Sequence, residues 1–255
     1  MLRNSFIFLD RIGSKKERRL WKQGIHNWSD FIQKSSIKGI GDSRKEELDI
    51  TLEKADKNLE RSNRVFFNYQ IPKKHHWRLY REFDSETAFI DIETTGLDFH
   101  RNSITTVSFY DGSESRTYIQ GKNLTVENLQ EEFDRHSVIA TFNGKRFDIP
   151  FIKTEFPDIN LEHPHIDLMY DCKKIGLSGG LKKIEKDVGI ERKGDGKDVD
   201  GREAVRLWKR YQRGDESALE TLVEYNRKDV RNLKPLMELV YRRLRNRCFP
   251  GKNRP

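Results

Sequence analysis

Asp91 and Glu93 stand two residues apart in Phe89-Ile90-Asp91-Ile92-Glu93-Thr94-Thr95-Gly96-Leu97. In a strand, side chains at i and i+2 share a face, so the two acids project together while Ile90 and Ile92 turn into a core. Two carboxylates side by side at a buried strand end repel each other and hold protons more tightly, unless a cation is present. A second acid, Asp148, follows the polar turn Asn143-Gly144-Lys145-Arg146 and precedes Pro150. Read alone it is a helix N-cap with proline in the first turn. A third acid, Asp229, lies four residues after Tyr225, and in a helix these two share a face.

The elements that must carry these residues follow from periodicity. Ala88 to Ile92, Ser103 to Tyr110 and Ser115 to Gln120 read as three strands joined by short turns, an antiparallel meander. A helix at Val126 to His136 and a strand at Val138 to Phe142 come next. Helices then follow near 149–155, 167–175, 180–188, 201–212 and 217–244, with an extended piece at His165. Pro235 either kinks the last helix or begins a new one. Strand-strand-strand-helix-strand-helix is the order of a ribonuclease H-like α/β fold, a mixed sheet flanked by helices. A small all-α domain precedes it, with short apolar-periodic segments between glycine turns. The expected organisation is a helical module at 1–60, a connector at 61–86, the α/β domain at 87–246 and a basic tail at 247–255.

The three acid blocks, in this order and spacing, resemble the DEDD exonuclease superfamily. Asp91-x-Glu93 is similar to its first motif, Asn143-x-x-x-Phe147-Asp148 to its second, and Tyr225-x-x-x-Asp229 to the tyrosine (DEDDy) form of its third. His165-Ile166-Asp167-Leu168 and Gly180-Leu181-Lys182-Lys183-Ile184-Glu185 resemble the YprB-like branch. The resemblance implies a 3′→5′ exonuclease whose four acids, as hard oxygen ligands, hold two Mg²⁺ or Mn²⁺ ions that activate water and stabilise the leaving oxygen. It implies that Asp91 bridges both ions, that Glu93 and Asp229 complete the water-activating site, and that Asp148 serves the second ion. Tyr225 would orient the attacking water, since a phenol with an ordinary pKa near 10 is a poor base at neutral pH. Thr94, Leu97 and Asn143 are implied contacts of the terminal nucleotide. Lys145 and Arg146 are candidates for phosphate contact or for solvated charge, and Asp167 for a supporting or structural role.

The N-terminal Ile37-Lys38-Gly39-Ile40-Gly41-Asp42-Ser43-Arg44-Lys45 resembles a helix-hairpin-helix. In that motif backbone N–H groups of the turn and the next helix meet a DNA phosphate, which makes Gly39, Gly41, Arg44 and Lys45 candidate contacts. A second copy, Leu9-Asp10-Arg11-Ile12-Gly13, lies 28 residues earlier with Arg11 in place of the first glycine. Charge is distributed to match. Residues 1–84 hold 19 Lys/Arg against 12 Asp/Glu, and 241–255 hold six Lys/Arg and no acid, while the 156 residues between are net acidic. Such a pattern suits a cation site inside a polyanion-binding protein, with DNA the expected partner. No apolar run is long enough for a membrane helix, and two cysteines without metal spacing fit a reducing, cytoplasmic compartment. An RNase or structure-specific endonuclease with the same site, and a non-catalytic DNA-binding scaffold, are the alternatives.

Overall fold

The computed structural model describes residues 1–191 and 201–249, which form two compact units. Met1–Asp84, Glu162–Pro164 and the chain from Tyr241 make up one; Ser85–Leu161 and His165–Val240 make up the other. Among the described residues no helix is long and apolar enough to cross a membrane.

The first unit is helical: α1 (Ser14–Lys22), α2 (Trp28–Gln33), α3 (Asp42–Glu60) and α4 (Arg64–Gln70). Local chemistry sets the boundaries. At the start of α2, Asn27 Oδ1 accepts from the Asp30 N–H at 2.8 Å, while Asp30 accepts from the Asn27 N–H at 3.1 Å. That reciprocal capping satisfies two N–H groups which the first helical turn leaves over. Residues 61–86, read from the sequence as a connector, hold α4 and the buried Phe67, Trp77, Leu79, Tyr80 and Phe83. Pro72 and the basic run after it mask an aromatic density that belongs to a core. Buried among these elements, the Arg78 guanidinium forks onto both Glu17 oxygens at 2.7 and 2.9 Å. Glu17 also accepts from the Phe6 N–H at 2.7 Å. The basic stretch after 246 continues the last helix to Cys248, and Phe249 meets Trp21 edge to face at 5.0 Å. Residues 250–255 of the expected tail lie outside the described residues.

The second unit is the α/β one. β1 (Thr87–Thr94), β2 (Ile104–Tyr110) and β3 (Ser115–Ile119) form the antiparallel meander. β4 (Val138–Thr141) and β5 (His165–Asp167) add to its other side in parallel, giving the order β3-β2-β1-β4-β5. This is the mixed ribonuclease H-like sheet expected from the sequence, and helices flank it: α5 (Val126–Asp134), α6 (Asp148–Glu155), α7 (Leu168–Lys174), α8 (Leu181–Val188), α9 (Gly201–Tyr211) and α10 (Glu216–Cys248). Alternation sorts β1 as required: Ala88, Ile90 and Ile92 join Ile104, Val107, Phe109, Phe133 and Phe151 in the core. Pro235 neither begins nor ends a helix, because α10 runs through it.

Candidate active site

β1 lies between an antiparallel and a parallel neighbour, so its C-terminal end is where the meander meets the parallel half of the sheet. In open α/β sheets this is the edge at which ligands bind. Asp91 sits opposite Ser108 and Glu93 opposite Thr106; the ladder then shifts register between Glu93 and Thr94. The shift releases the chain into the turn that carries Thr94 and Leu97. Thr94 Oγ1 donates to the Gly96 carbonyl at 2.6 Å, and Leu97 is 84% exposed.

The next acid is placed by the turn between β4 and α6. Asn143 adopts φ +68°, a left-handed conformation that asparagine tolerates better than most residues. Asp167, at the end of β5, accepts the N–H groups of Asn143 (2.9 Å), Lys145 (3.0 Å) and Met169 (3.1 Å). It therefore pins the turn and caps α7 at the same time. Gly144 packs so tightly that a Cβ there would lie 2.2 Å from Thr141 Oγ1. Phe147, not Asp148, is the N-cap of α6. Asp148 is the first helical residue, 3% exposed, and backbone N–H groups of its own residue and Ile92 favour its charged form.

α10 supplies the remaining groups from one turn. Leu222, Val230 and Leu233 are buried, which turns Tyr225, Asn226 and Asp229 towards β1. Tyr225 hydrogen-bonds Asp229. Asn226, fully buried, donates through Nδ2 to Asp91 Oδ2 at 2.7 Å and accepts from the Thr106 hydroxyl at 3.0 Å. Lys182 of α8 places its ammonium 5.4 Å from the centre of the Tyr225 ring, and its charge favours the ionised form of Glu93. Neither residue has a role legible in the sequence: Asn226 is a variable position inside the third motif and Lys182 one lysine of the stretch 180–185, and only their partners mark them.

One carboxylate oxygen each from Asp91, Glu93 and Asp229 lies within 4.8 Å of the others. Burial raises the proton affinity of Asp91 and Glu93 well above the ordinary carboxylate range, and repulsion from Asp229 and Asp148 adds to it. Burial also lifts Asp148, to about 7, with Asp167 adding and the two N–H groups opposing. The Tyr225 phenol is pushed far up by burial and by the acids around it, so it stays protonated and is a donor. The donor set fits a hard divalent cation: oxygen only, preorganised, and electrostatically unfavourable without positive charge.

The structure thus brings Asp91, Glu93, Asp229 and Tyr225 together, with Asp148 close enough to repel the first two. Thr94, Leu97 and Asn143 share one groove with Glu93. Lys145 and Arg146 are exposed on the turn, Lys145 lying 5.9 Å from the Tyr170 ring centre. In the helical unit, Gly39 has φ +89° and Gly41 caps α3; Arg11 has φ +51° and Gly13 caps α1. Each turn closes with the same i+3 bond, Ile40 N–H to Ile37 and Ile12 N–H to Leu9, both at 3.0 Å. The two turns have one backbone shape, so Arg11 keeps the left-handed geometry that glycine would take. Arg44 does not extend from its turn alone, since it binds the Asp10 carboxylate at 3.1 Å. Lys45 is 5% exposed and turned onto Asp49 and the Phe31 ring, which leaves it no open face for a phosphate.

The model of one protein family, RNase_H_2 of the RNase_H superfamily, matches residues 88–241. No curated protein sequence matches the chain. Solved structures that resemble it include Brucella melitensis NrnC, at 20% identity and TM-score 0.47, covering 68% of this chain and 80% of that one. The same protein with bound Mg²⁺ gives 19% and 0.45, covering 67% and 79%. The family B DNA polymerase from the hyperthermophilic archaeon Pyrobaculum calidifontis gives 16% and 0.48, covering 60% of this chain and 24% of the polymerase.

Proposed function

The chain belongs to the RNase_H_2 family of the RNase_H superfamily, and we propose that it is a metal-dependent nuclease which shortens DNA strands from the 3′ end. One observation carries the reading: three acids, from β1 and α10, whose oxygens lie within 4.8 Å of one another. Mg²⁺ or Mn²⁺, as one or two ions, would supply Lewis-acid activation of water and of the leaving oxygen when bound. Asp91, Glu93 and Asp229 would hold that charge, with Asp148 close enough to contribute. Asn226 holds Asp91 Oδ2 by its 2.7 Å bond, so that carboxylate does not swing away from the other acids. Tyr225 keeps its proton, donates it in a hydrogen bond, and orients the attacking water instead of deprotonating it. Polarity of digestion rests on the likeness of the three motifs to the DEDDy exonucleases. The choice of DNA rests on residues 1–60, whose paired turns support a module that grips phosphates without reading sequence.

The test is one assay with labelled ends. Wild type and Asp91→Ala are incubated with 3′- and 5′-labelled single- and double-stranded DNA and RNA, in Mg²⁺, Mn²⁺ or EDTA. Expected is a ladder that shrinks from the 3′ end of DNA, lost in EDTA and reduced by about 100-fold or more in the variant. Internal cuts would replace the exonuclease reading with an endonuclease one, and preference for RNA would move the substrate. Degradation that persisted equally in EDTA or in Asp91→Ala would falsify the metal site.

A further inference from the structure

α9 has two faces, and its buried one dictates the other. Ala204, Leu207 and Trp208 pack with Ala218, Leu219 and Leu222 of α10. At 3.6 residues per turn that leaves Arg202, Val205, Arg206 and Lys209 as a stripe on the opposite side. This stripe lines a groove of about 800 Å³ together with Leu97 and Phe147, and Glu93 of the acid cluster stands in the same groove. One groove therefore brings together Glu93 of the acid cluster, the apolar Leu97 and Phe147, and three cations along one face of α9.

We propose that this wall binds the sugar-phosphate backbone of a single nucleic-acid strand as its end reaches the acids. The proposal rests on the nuclease reading of the site and assigns the strand's binding surface within it. Charge complementarity selects the occupant. A strand that places one phosphodiester at the acid cluster carries its next phosphates away from it, and these need positive charge that the acids cannot supply. Arg202 and Lys209 lie seven residues apart, about 10 Å of helix with Arg206 between them, which matches roughly three axial steps of 3.4 Å along a stacked strand. Guanidinium groups suit bidentate contact with phosphate. In the same groove, Leu97 and Phe147 give a base an apolar surface to rest on. Arg206 pairs with Glu203 at 3.2 Å, but Arg206 is 73% exposed at its side chain, and a surface pair of that kind gives way readily to a phosphate. A uniform row of cations reads charge and not sequence, so the surface takes strands of any base composition.

The experiment measures strand binding by full-length protein, using fluorescence anisotropy of a short labelled oligonucleotide in Ca²⁺ at several salt concentrations. The triple variant Arg202→Gln, Arg206→Gln, Lys209→Gln is compared with wild type and with a charge-matched control, Lys122→Gln, Lys153→Gln, Lys186→Gln, whose lysines are exposed elsewhere. Expected in the α9 variant is affinity lower by about tenfold or more, with the slope of log affinity against log salt shallower by about 2, three contacts at about 0.7 each. The control keeps the wild-type slope to within about 0.7. Wild-type affinity and slope in the α9 variant, beside normal cleavage by wild type in Mg²⁺, would overturn the strand surface and leave the nuclease reading standing. Wild type that neither bound the strand nor cleaved it would overturn both.

Discussion

Asp148→Asn should make the metal-free protein more stable at neutral pH than wild type, while lowering nuclease activity. Asp148 is 3% exposed, and its pKa is raised from the ordinary 3.8 to about 7 by burial, with Asp167 adding repulsion. The sign follows from proton binding. Between about pH 4 and about pH 7 the unfolded chain has released this proton and the folded chain retains it, so stability falls as pH rises. The slope is about 1.4 kcal/mol per pH unit, and over roughly three units the wild type loses about 4 kcal/mol from this one group. Asparagine has the same shape and no charge, so this component is absent in the variant. Removing the charge also relieves Asp91 and Glu93, which Asp148 repels, and that acts in the same direction. The assay is urea unfolding of both proteins in EDTA from about pH 4 to about pH 8. The stability of the variant relative to wild type should climb across that range by about 4 kcal/mol. Saturating Mg²⁺ should then narrow the gap, since an ion that binds only the folded wild type at 100 times its Kd adds about 2.7 kcal/mol. A gap between the two proteins that stays constant with pH would refute the argument, because Asp148 would then titrate like an exposed carboxyl.

Three further perturbations isolate single contacts. Asn226→Ala leaves Asp91 Oδ2 and the buried Thr106 hydroxyl without their partner; it should reduce stability by about 1–3 kcal/mol in thermal unfolding. It should also weaken Mg²⁺ binding by about 10- to 100-fold in calorimetric titration. Gly144→Ala forces a Cβ to within 2.2 Å of Thr141 Oγ1 and 2.5 Å of Thr141 Cβ, so the turn before Asp148 has to move; a loss of about 1–3 kcal/mol by urea unfolding is expected, and a neutral result would mean the turn yields without resistance. Arg78→Met strands the buried Glu17 carboxylate in the helical unit and should destabilise it by about 3–5 kcal/mol, read by circular dichroism; the double variant Glu17→Met, Arg78→Met should recover most of that loss.

Amino-acid order alone determined the sheet, because strand alternation and turn residues are local properties. The alternating Phe89-Ile90-Asp91-Ile92-Glu93 already fixes which side chains face the core and which face the site, and the packing of Ile90 and Ile92 bears this out. The grouping of acids could be anticipated too, since i+2 on a strand and i+4 on a helix leave little choice of direction. The role of Asp167 and the identity of the groups beside the acids could not. Asp167 holds Asn143 and Lys145 from 22 to 24 residues away, and Asn226 reaches Asp91 across 135 residues. Contacts of that separation exist only once the sheet has closed, and no periodicity encodes them. The same holds for Lys45, a candidate phosphate contact by position that helix packing turns inwards, and for α9. Its cations look like the solvated side of an ordinary amphipathic helix until Leu97 and Phe147 stand across from them. Local chemistry chose the elements; closure of the fold decided which charges share a dry space, and proton affinity and cation binding depend on that shared space.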